Sequence, residues 1–454
     1  MKLQSIKIEK LFGLFDYNID LNNEEDLTVL TGPNGYGKTT ILNIIYNLFN
    51  QRFFYFQKLN FDLISLSFEQ NRRIDVTKKK GKDKQTVQII NNQQQIISLS
   101  QTVETTDIHL DLYINNTRKD TFVYNFELEN KLAQELQNFL PIQRLASDLW
   151  IDNRTGKQIT VNEFLNENSA QLSEHIITLI KKQSGNQSSQ ILQILSETSV
   201  YLIKEQRLLK QIVDNRNVNS NSLFINTIEE YAKELKDLIE QKQLEAYRIT
   251  QELESSFPKR LIECKEFLSE SDFKSRFADL TEKQKLLKTF GIATAIQDVT
   301  EYNDKTKNVL TVYLGDSEKK VRVYDELLNK IELFVNILNE KKFAFKAIVI
   351  DGSQGFYFQL NNGQRLKLTD LSSGEQQEVV LQYELLFKTN PNTLILIDEP
   401  EISLHVMWQK TFIQDLQRIG KMKQISFLIS THAPQIINDR WDLTRDLFNL
   451  ANEN

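Results

Sequence analysis

The sequence predicts an α/β protein in which a phosphate-binding head of mixed sheets and helices is interrupted by a long helical insertion. Three observations predict it. The glycine-rich turn Gly32-Pro33-Asn34-Gly35-Tyr36-Gly37-Lys38-Thr39 follows the apolar run Leu27 to Thr31 and opens a helical segment, Thr40 to Phe49. Far downstream, Thr393 to Asp398 (TLILID) reads as a buried parallel strand that delivers Asp398 and Glu399 to its carboxyl end, where open α/β sheets place ligands. Between them the pattern turns helical from Glu129 onward. The predicted organisation is therefore a first half of the head at 1–128, a helical insertion with a short coiled coil at 129–340, and a second half of the head at 341–454.

Composition bounds the function. The 454 residues carry 40% hydrophobic and 26% charged residues, ordinary for a globular protein, with a net charge of −6. That balance does not favour a general nucleic-acid binder, although a local basic groove stays open. Cys264 is the only cysteine, so an internal disulfide and a cysteine-based zinc site are both excluded. Met1 to Lys10 lacks the apolar centre of a signal peptide, and no run approaches a membrane span of ~18 residues. The expected location is cytoplasmic, without a membrane.

Taken in order, residues 2–9 and 15–21 alternate apolar and polar and read as strands leading into Leu27 to Thr31. The turn that follows matches GxxxxGK[ST] in its proper setting, strand before and helix after. Its glycines let backbone N–H groups of Asn34, Gly35, Gly37 and Thr40 close on phosphates, Lys38 reaches the β and γ groups, and the Thr39 hydroxyl serves Mg²⁺. FDLISLSF, RRIDV, QTVQII, DIHLDLYI and DTFVYNFEL, between Phe61 and Leu128, each carry strand patterns. Lys78 to Lys84 sits between two of them as a lysine-rich hairpin turn, either solvated or touching a nucleic-acid backbone.

Past Glu129, two glutamines are candidates for linking nucleotide and metal to the next lobe. Gln143 lies in Pro141 to Leu145, and Gln206 follows the strand-like VYLI, which places Gln206 better. Ile228, Ala232, Leu235, Ile239, Ala246, Ile249 and Leu253 follow four-three spacing, a coiled-coil or helical-hairpin signal expected to stop at Pro258 after ~45 Å. Val323 to Asn339 is the candidate second arm; an assembly surface and a helix packed on the head are both open. Strands return at KFAFKAIVID and GFYFQL. Leu371-Ser372-Ser373-Gly374-Glu375 then puts two hydroxyls and a glycine at a helix start, where N–H groups and helix dipole face an anion. ISFLIS, a second buried strand, runs into Thr431-His432-Ala433-Pro434, and little chain remains after it for a nuclease domain.

Together these motifs assign roles. Asp398 and Thr39 hold Mg²⁺, Glu399 polarises or deprotonates the attacking water, and His432 senses or stabilises the γ-phosphate. The same motifs resemble an ABC-type ATPase of the SMC and OLD-like group. GPNGYGKTT is similar to its Walker A, LSSGE to the signature, LILIDEP to the Walker B with catalytic Glu, Ser403-Leu404-His405 to the D-loop, and STHAPQII to the His switch. Tyr36 departs from the small residue common in that loop. The resemblance implies that Ser372, Ser373 and Gly374 of one protomer cap the γ-phosphate held by another, so that ATP joins two heads. A narrower likeness rests on QRL near Gln206, SSFPKRL at Ser255 to Leu261, LSSGEQQEVVLQYELLF, LHVMWQ and PQIINDRWDLTRDL. These runs are similar to compact ATPases of bacterial anti-phage systems, above all the ATPase subunit of PARIS, with the Septu and retron-associated ATPases next. This implies a homo-oligomeric ATPase scaffold, a hexamer by that likeness, which senses a phage-encoded trigger and holds a separate Toprim-like nuclease. An SMC-like DNA-repair or DNA-clamping ATPase is the alternative; it calls for a basic surface and a long coiled coil. A transporter subunit fits less well, because Ser372 follows Lys38 only after the whole helical stretch.

Overall fold

The computed structural model describes residues 2–21, 23–90, 96–125, 136–137, 140, 142–144, 150–152, 158–159, 189–203, 208–212, 223–292 and 302–452, with backbone alone for 81–90, 96–105, 144, 158–159, 209–212 and 223–225. The chain forms two compact units: Met1–Glu205 with Asn390–Ile402 and Gln409–Asn454, and Gln206–Thr389 with Ser403–Trp408.

The first unit is built on a five-stranded sheet in the order Val200–Ile203, Leu394–Asp398, Ser426–Ser430, Leu27–Thr31, Thr444–Asp446. Every neighbouring pair is parallel. LILI, FLIS and LTVL are buried without alternation, as strands covered on both faces must be. A six-stranded antiparallel sheet, in the order Phe15–Asp20, Leu3–Leu11, Leu63–Phe68, Arg72–Ile90, Ile96–Ile114, Thr117–Tyr124, supplies the second layer. Its strands alternate, and register aligns the apolar positions into a row running Tyr17, Ile8, Ile64, Val76, Leu110, Phe122. All six side chains are buried. The helix Lys38–Phe49 joins that face in one hydrophobic cluster with Leu394, Leu396 and Leu428 of the parallel sheet, burying Ile41, Leu42, Ile44, Ile45, Leu48 and Phe49.

The lysine run is not a turn. Arg72–Ile90 is one continuous strand of 19 residues, paired with Ile96–Ile114 from Arg72 opposite Ile114 to Ile90 opposite Ile96, so Lys78 to Lys84 lie mid-ladder. Lysines and Gly81 imitate turn composition, but a ladder bonds through backbone groups and tolerates them on a two-stranded ribbon. Lys78 itself is an anchor: its ammonium donates to the carbonyls of Gln57 and Leu59 and sits 5.1 Å from the Phe61 ring centroid. Within the stretch expected to be helical, Ile142–Arg144, Trp150–Asp152 and Gln158–Ile159 form a small antiparallel sheet.

In the second unit the helix Thr227–Glu263 has 37 residues and is about 55 Å long at 1.5 Å per residue. It passes through Pro258 instead of stopping there. Pro258 removes one backbone donor, and side chains bond carbonyls of that turn: Arg260 Nη2 donates to Leu253 O at 2.6 Å and Ser256 to Glu252 O at 2.9 Å. Of the four-three positions, Ile228, Ala232, Leu235 and Ile239 are buried, whereas Ala246, Ile249 and Leu253 are half-buried. The distal half packs on Lys307–Arg322, fastened by Arg260 to Asp316, and Glu270–Thr289 packs on the same helix. The candidate second arm goes elsewhere: the helix Asp325–Glu340 packs on the strand Lys346–Asp351 and the helix Ser373–Tyr383. Its apolar face is therefore core. No described helix is long and apolar enough to cross a membrane.

Gly355 opens the second strand of the hairpin Lys346–Asp351/Gly355–Leu360 at φ +82°, and a Cβ there would lie 1.8 Å from the Ala232 carbonyl of the long helix. Gly355→Ala is expected to destabilise this unit by about 2–4 kcal/mol, since left-handed strain adds to backbone overlap. Thermal denaturation checks it, and an unchanged midpoint would contradict this packing.

Candidate nucleotide-binding site

Five groups from three sequence segments meet at the carboxyl end of the parallel sheet. The first segment is the loop between Leu27–Thr31 and Lys38–Phe49. Gly37 caps the helix at φ +83°, and a Cβ there would meet Leu11 Cδ2 at 3.0 Å, so only glycine lets the loop close this tightly. Asn34 and Gly35 are exposed at the loop tip and Thr40 is half-buried in the first helical turn. Tyr36 is accommodated outside the cradle, its ring 5.1 Å from Phe15 and 5.8 Å from Phe448. Its carbonyl accepts a 2.8 Å bond from the Tyr17 hydroxyl, whose pKa burial pushes up, so that group stays a donor.

Lys38 is 5% exposed, and its ammonium donates to the carbonyls of Gly32 (2.9 Å) and Pro33 (3.2 Å), with His432 Nδ1 at 3.4 Å. Burial lowers its pKa, opposed by the charges of Glu399, Asp398, Glu401 and Asp446. One cation thus faces several carboxylates, a balance that repels a triphosphate unless a further cation comes with it.

Asp398 ends the strand Leu394–Asp398 opposite Ser430. Its Oδ1 accepts from the Thr39 hydroxyl at 3.1 Å and from the Ser430 hydroxyl. These are hard oxygen donors. Among the described residues no three His, Cys, Asp or Glu side chains group as a metal cage. Two protein oxygens next to a phosphate cradle suit Mg²⁺, which keeps waters and phosphate oxygens as its other ligands. The residues therefore fit the ion.

Glu399 follows at φ +43°, an unusual value for a side chain that is not glycine, stabilised by its N–H to Ser430 O at 3.0 Å and its carbonyl accepting from Ile402 N–H at 3.1 Å. Its carboxylate lies 3.6 Å from His432 Nε2. His432 N–H in turn donates to Glu401 Oε1 at 2.7 Å.

Lys38, Thr39, Asp398, Glu399 and His432 are thus linked by contacts of 3.1 to 3.6 Å. Sequence reasoning missed Ser430, Glu401 and Asp446. Ser430 was findable from the matched lengths of the two apolar strands; Asp446 was not, because its strand Thr444–Asp446 is too short to show alternation. Gln206 lies outside the described residues. Gln143 is exposed on Ile142–Arg144 opposite Ile151, and no described hydrogen bond joins it to these groups.

The second unit carries the LSSGE stretch. Ser372 is the N-cap of the helix Ser373–Tyr383, closed by a reciprocal box: Glu375 N–H donates to Ser372 Oγ at 3.4 Å, and Ser372 N–H to Glu375 Oε2 at 2.8 Å. Ser372 and Ser373 are exposed. A Cβ on Gly374 would meet nothing within 4 Å, so no contact among the described residues demands a glycine there. Burial raises the Glu375 pKa, but the bonds from Lys346 and Ser372 outweigh it and the carboxyl ends below its ordinary value. Ser403 and Leu404 are buried, and Trp408 packs 4.9 Å from Phe343 while donating to Lys341 O at 3.0 Å.

Residues 1–437 match the family model of the AAA ATPase domain. The chain belongs to this family. Among curated relatives, this AAA ATPase domain is similar to the retron Vc95 probable ATPase of Vibrio cholerae serotype O1 biovar El Tor, 26% identical over 143 residues, 30% of the chain and 27% of the relative. It is also similar to the retron Ec83 probable ATPase of Escherichia coli, 33% identical over 86 residues, 16% of each. The matches thus span about a quarter or less of these relatives' lengths. Among solved structures, the Smc head domain of Pyrococcus furiosus bound to the ScpA C-terminal domain aligns at 10% identity and TM-score 0.32, over 96% of this chain and 90% of that one. The SMC head domain of Thermotoga maritima aligns at 10% identity and TM-score 0.31, over 97% and 93%.

Proposed function

We propose that this AAA ATPase domain binds ATP with Mg²⁺ at the carboxyl edge of its parallel sheet and hydrolyses it in a pair of chains, each capping the other's triphosphate with Ser372, Ser373 and Gly374. The observation that carries the reading is the linkage of Lys38, Thr39, Asp398, Glu399 and His432 through contacts of 3.1 to 3.6 Å. Loop N–H groups and the Lys38 ammonium hold the β and γ phosphates, Lys38 exchanging its carbonyl partners for phosphate oxygens. Thr39 and Asp398 hold Mg²⁺, with Ser430 orienting the carboxylate. The ion, when bound, neutralises charge that develops on the phosphate oxygens. Glu399 accepts the proton of a water whose oxygen forms a bond to the γ-phosphorus as the bond to the bridging oxygen breaks, and ADP departs with that electron pair. His432, fixed by Glu401, offers an N–H to the γ-phosphate and a contact to Glu399.

Ser372→Arg tests the capping role, because it leaves the P-loop residues intact while placing bulk at the exposed helix start. ATP-dependent self-association, followed by sedimentation, is expected to disappear, and the turnover number to fall at least about 100-fold. Full turnover in this variant would contradict capping in trans.

The retron relatives support a defence setting. In that reading the chain is an oligomeric sensor and scaffold, of the PARIS kind, which releases a separate Toprim-like nuclease when a phage-encoded trigger arrives. The experiment is co-expression with the protein of the neighbouring reading frame: a nuclease that co-purifies and separates on infection supports it, and none in the neighbourhood contradicts it.

A further inference from the structure

The LSSGE helix is held from behind by charge. Lys346 Nζ lies 2.8 Å from both carboxylate oxygens of Glu375, and Glu375 Oε2 also accepts from the Ser372 N–H (2.8 Å) and the Ser372 hydroxyl (2.9 Å). One turn on, Lys341 and Glu378 approach to 3.5 Å with side chains 4% and 0% exposed, and Gln382 donates to Glu378 at 3.0 Å. Buried ion pairs lose as much to desolvation as they gain, and apolar residues of similar volume often stabilise a core better. The buried Lys341–Glu378 pair is therefore poorly explained by stability, whereas Lys346 and Glu375, 19% and 9% exposed, keep part of their hydration.

The Lys346–Glu375 pair also governs the chemistry of the exposed serine. While the Ser372 hydroxyl donates to Glu375 Oε2 and accepts from the Glu375 N–H, it has only a lone pair left to turn outward, the wrong polarity for phosphate. To bond an anion the hydroxyl must turn away from Glu375, and the carboxylate it leaves must be neutralised by something else. The group in place is Lys346.

We propose that Lys346 is a positioning residue for trans capping: by holding Glu375 it frees the Ser372 hydroxyl to turn outward and masks a carboxylate that would otherwise repel the incoming γ-phosphate. This rests on the capping role of Ser372 proposed above. Lys346 touches no substrate and acts only through Glu375. Because its effect is a charge balance, it has a signature that a packing role lacks. Removing the cation alone leaves an unmasked carboxylate; removing both charges leaves none.

The test measures ATP-dependent self-association of the full chain by sedimentation, using a non-hydrolysable ATP analogue with Mg²⁺. Binding of a fluorescent ATP analogue at low protein concentration reports the P-loop separately. Lys346→Met is expected to weaken self-association at least about 10-fold while single-chain nucleotide affinity stays within about 3-fold, and Lys346→Arg to remain near wild type. The double variant Lys346→Met/Glu375→Gln is expected to recover most of the loss, because glutamine keeps an acceptor for the Ser372 N–H without the charge. If Ser372→Arg abolishes self-association and Lys346→Met does not weaken it, or the double variant is no better than the single, the positioning role is wrong and capping stands. If neither Ser372→Arg nor Lys346→Met alters self-association, the capping reading falls and this inference with it.

Discussion

Glu399→Gln is expected to lower the turnover number by roughly 10²–10⁴-fold while ATP still binds, the span that a positioned general base contributes. Glutamine has the same shape and keeps an acceptor oxygen, but it cannot take the proton of the attacking water. It also leaves Lys38, Thr39 and Asp398 in place, so the triphosphate remains clasped and the capped pair of chains should persist. The backbone supports this separation of roles: Glu399 is fixed at φ +43° by main-chain bonds to Ser430 and Ile402, which the substitution does not touch. Steady-state kinetics combined with sedimentation in ATP checks both halves. Wild-type turnover in this variant would mean that another group accepts the proton.

Lys38→Ala is the second large effect, and it acts on binding. The ammonium is the cation that the loop itself places among the carboxylates of Glu399, Asp398, Glu401 and Asp446. Without it, the phosphates lose two or more charge-assisted bonds and meet a more negative site. Affinity for ATP should fall on the order of 10²–10⁴-fold, at about 1.5–3 kcal/mol for each such bond. Titration calorimetry with Mg²⁺ measures it, and unchanged affinity would show that the triphosphate binds elsewhere. The carbonyls of Gly32 and Pro33 lose their donor in this variant but lie on a surface loop where water replaces it. The fold should persist, which circular dichroism verifies.

Sequence pattern went furthest where one element carries its own signal. TLILID and ISFLIS read as buried strands, and Leu394–Asp398 and Ser426–Ser430 are adjacent parallel strands. The glycine loop named Lys38 and Thr39 by spacing alone. What sequence did not convey was pairing across long separations. VYLI reads as a strand, but nothing local says that Val200–Ile203 lies against Leu394–Asp398. The heptad-like seam of the long helix did not name its mate, and Lys307–Arg322, with its weaker apolar stripe, takes the place expected for Val323 to Asn339. Composition misled twice, at Lys78 to Lys84, where lysines imitate a turn inside a ladder, and at Pro258, which the helix Thr227–Glu263 runs through although proline commonly ends one. At the site, Glu401 escaped notice because its role is to accept the backbone N–H of His432, a contact that no residue pattern announces.

From Ile41 onward the helix that starts at Lys38 buries its apolar face in the cluster shared by both sheets of the first unit, while Thr39 in its first turn is exposed. The amides of its later turns are therefore expected to exchange with water only when the unit opens, whereas those of the first turn face the phosphate site and stay accessible. Damage to the antiparallel sheet that shares this cluster is therefore expected to lower the number of competent molecules more than the affinity of each one.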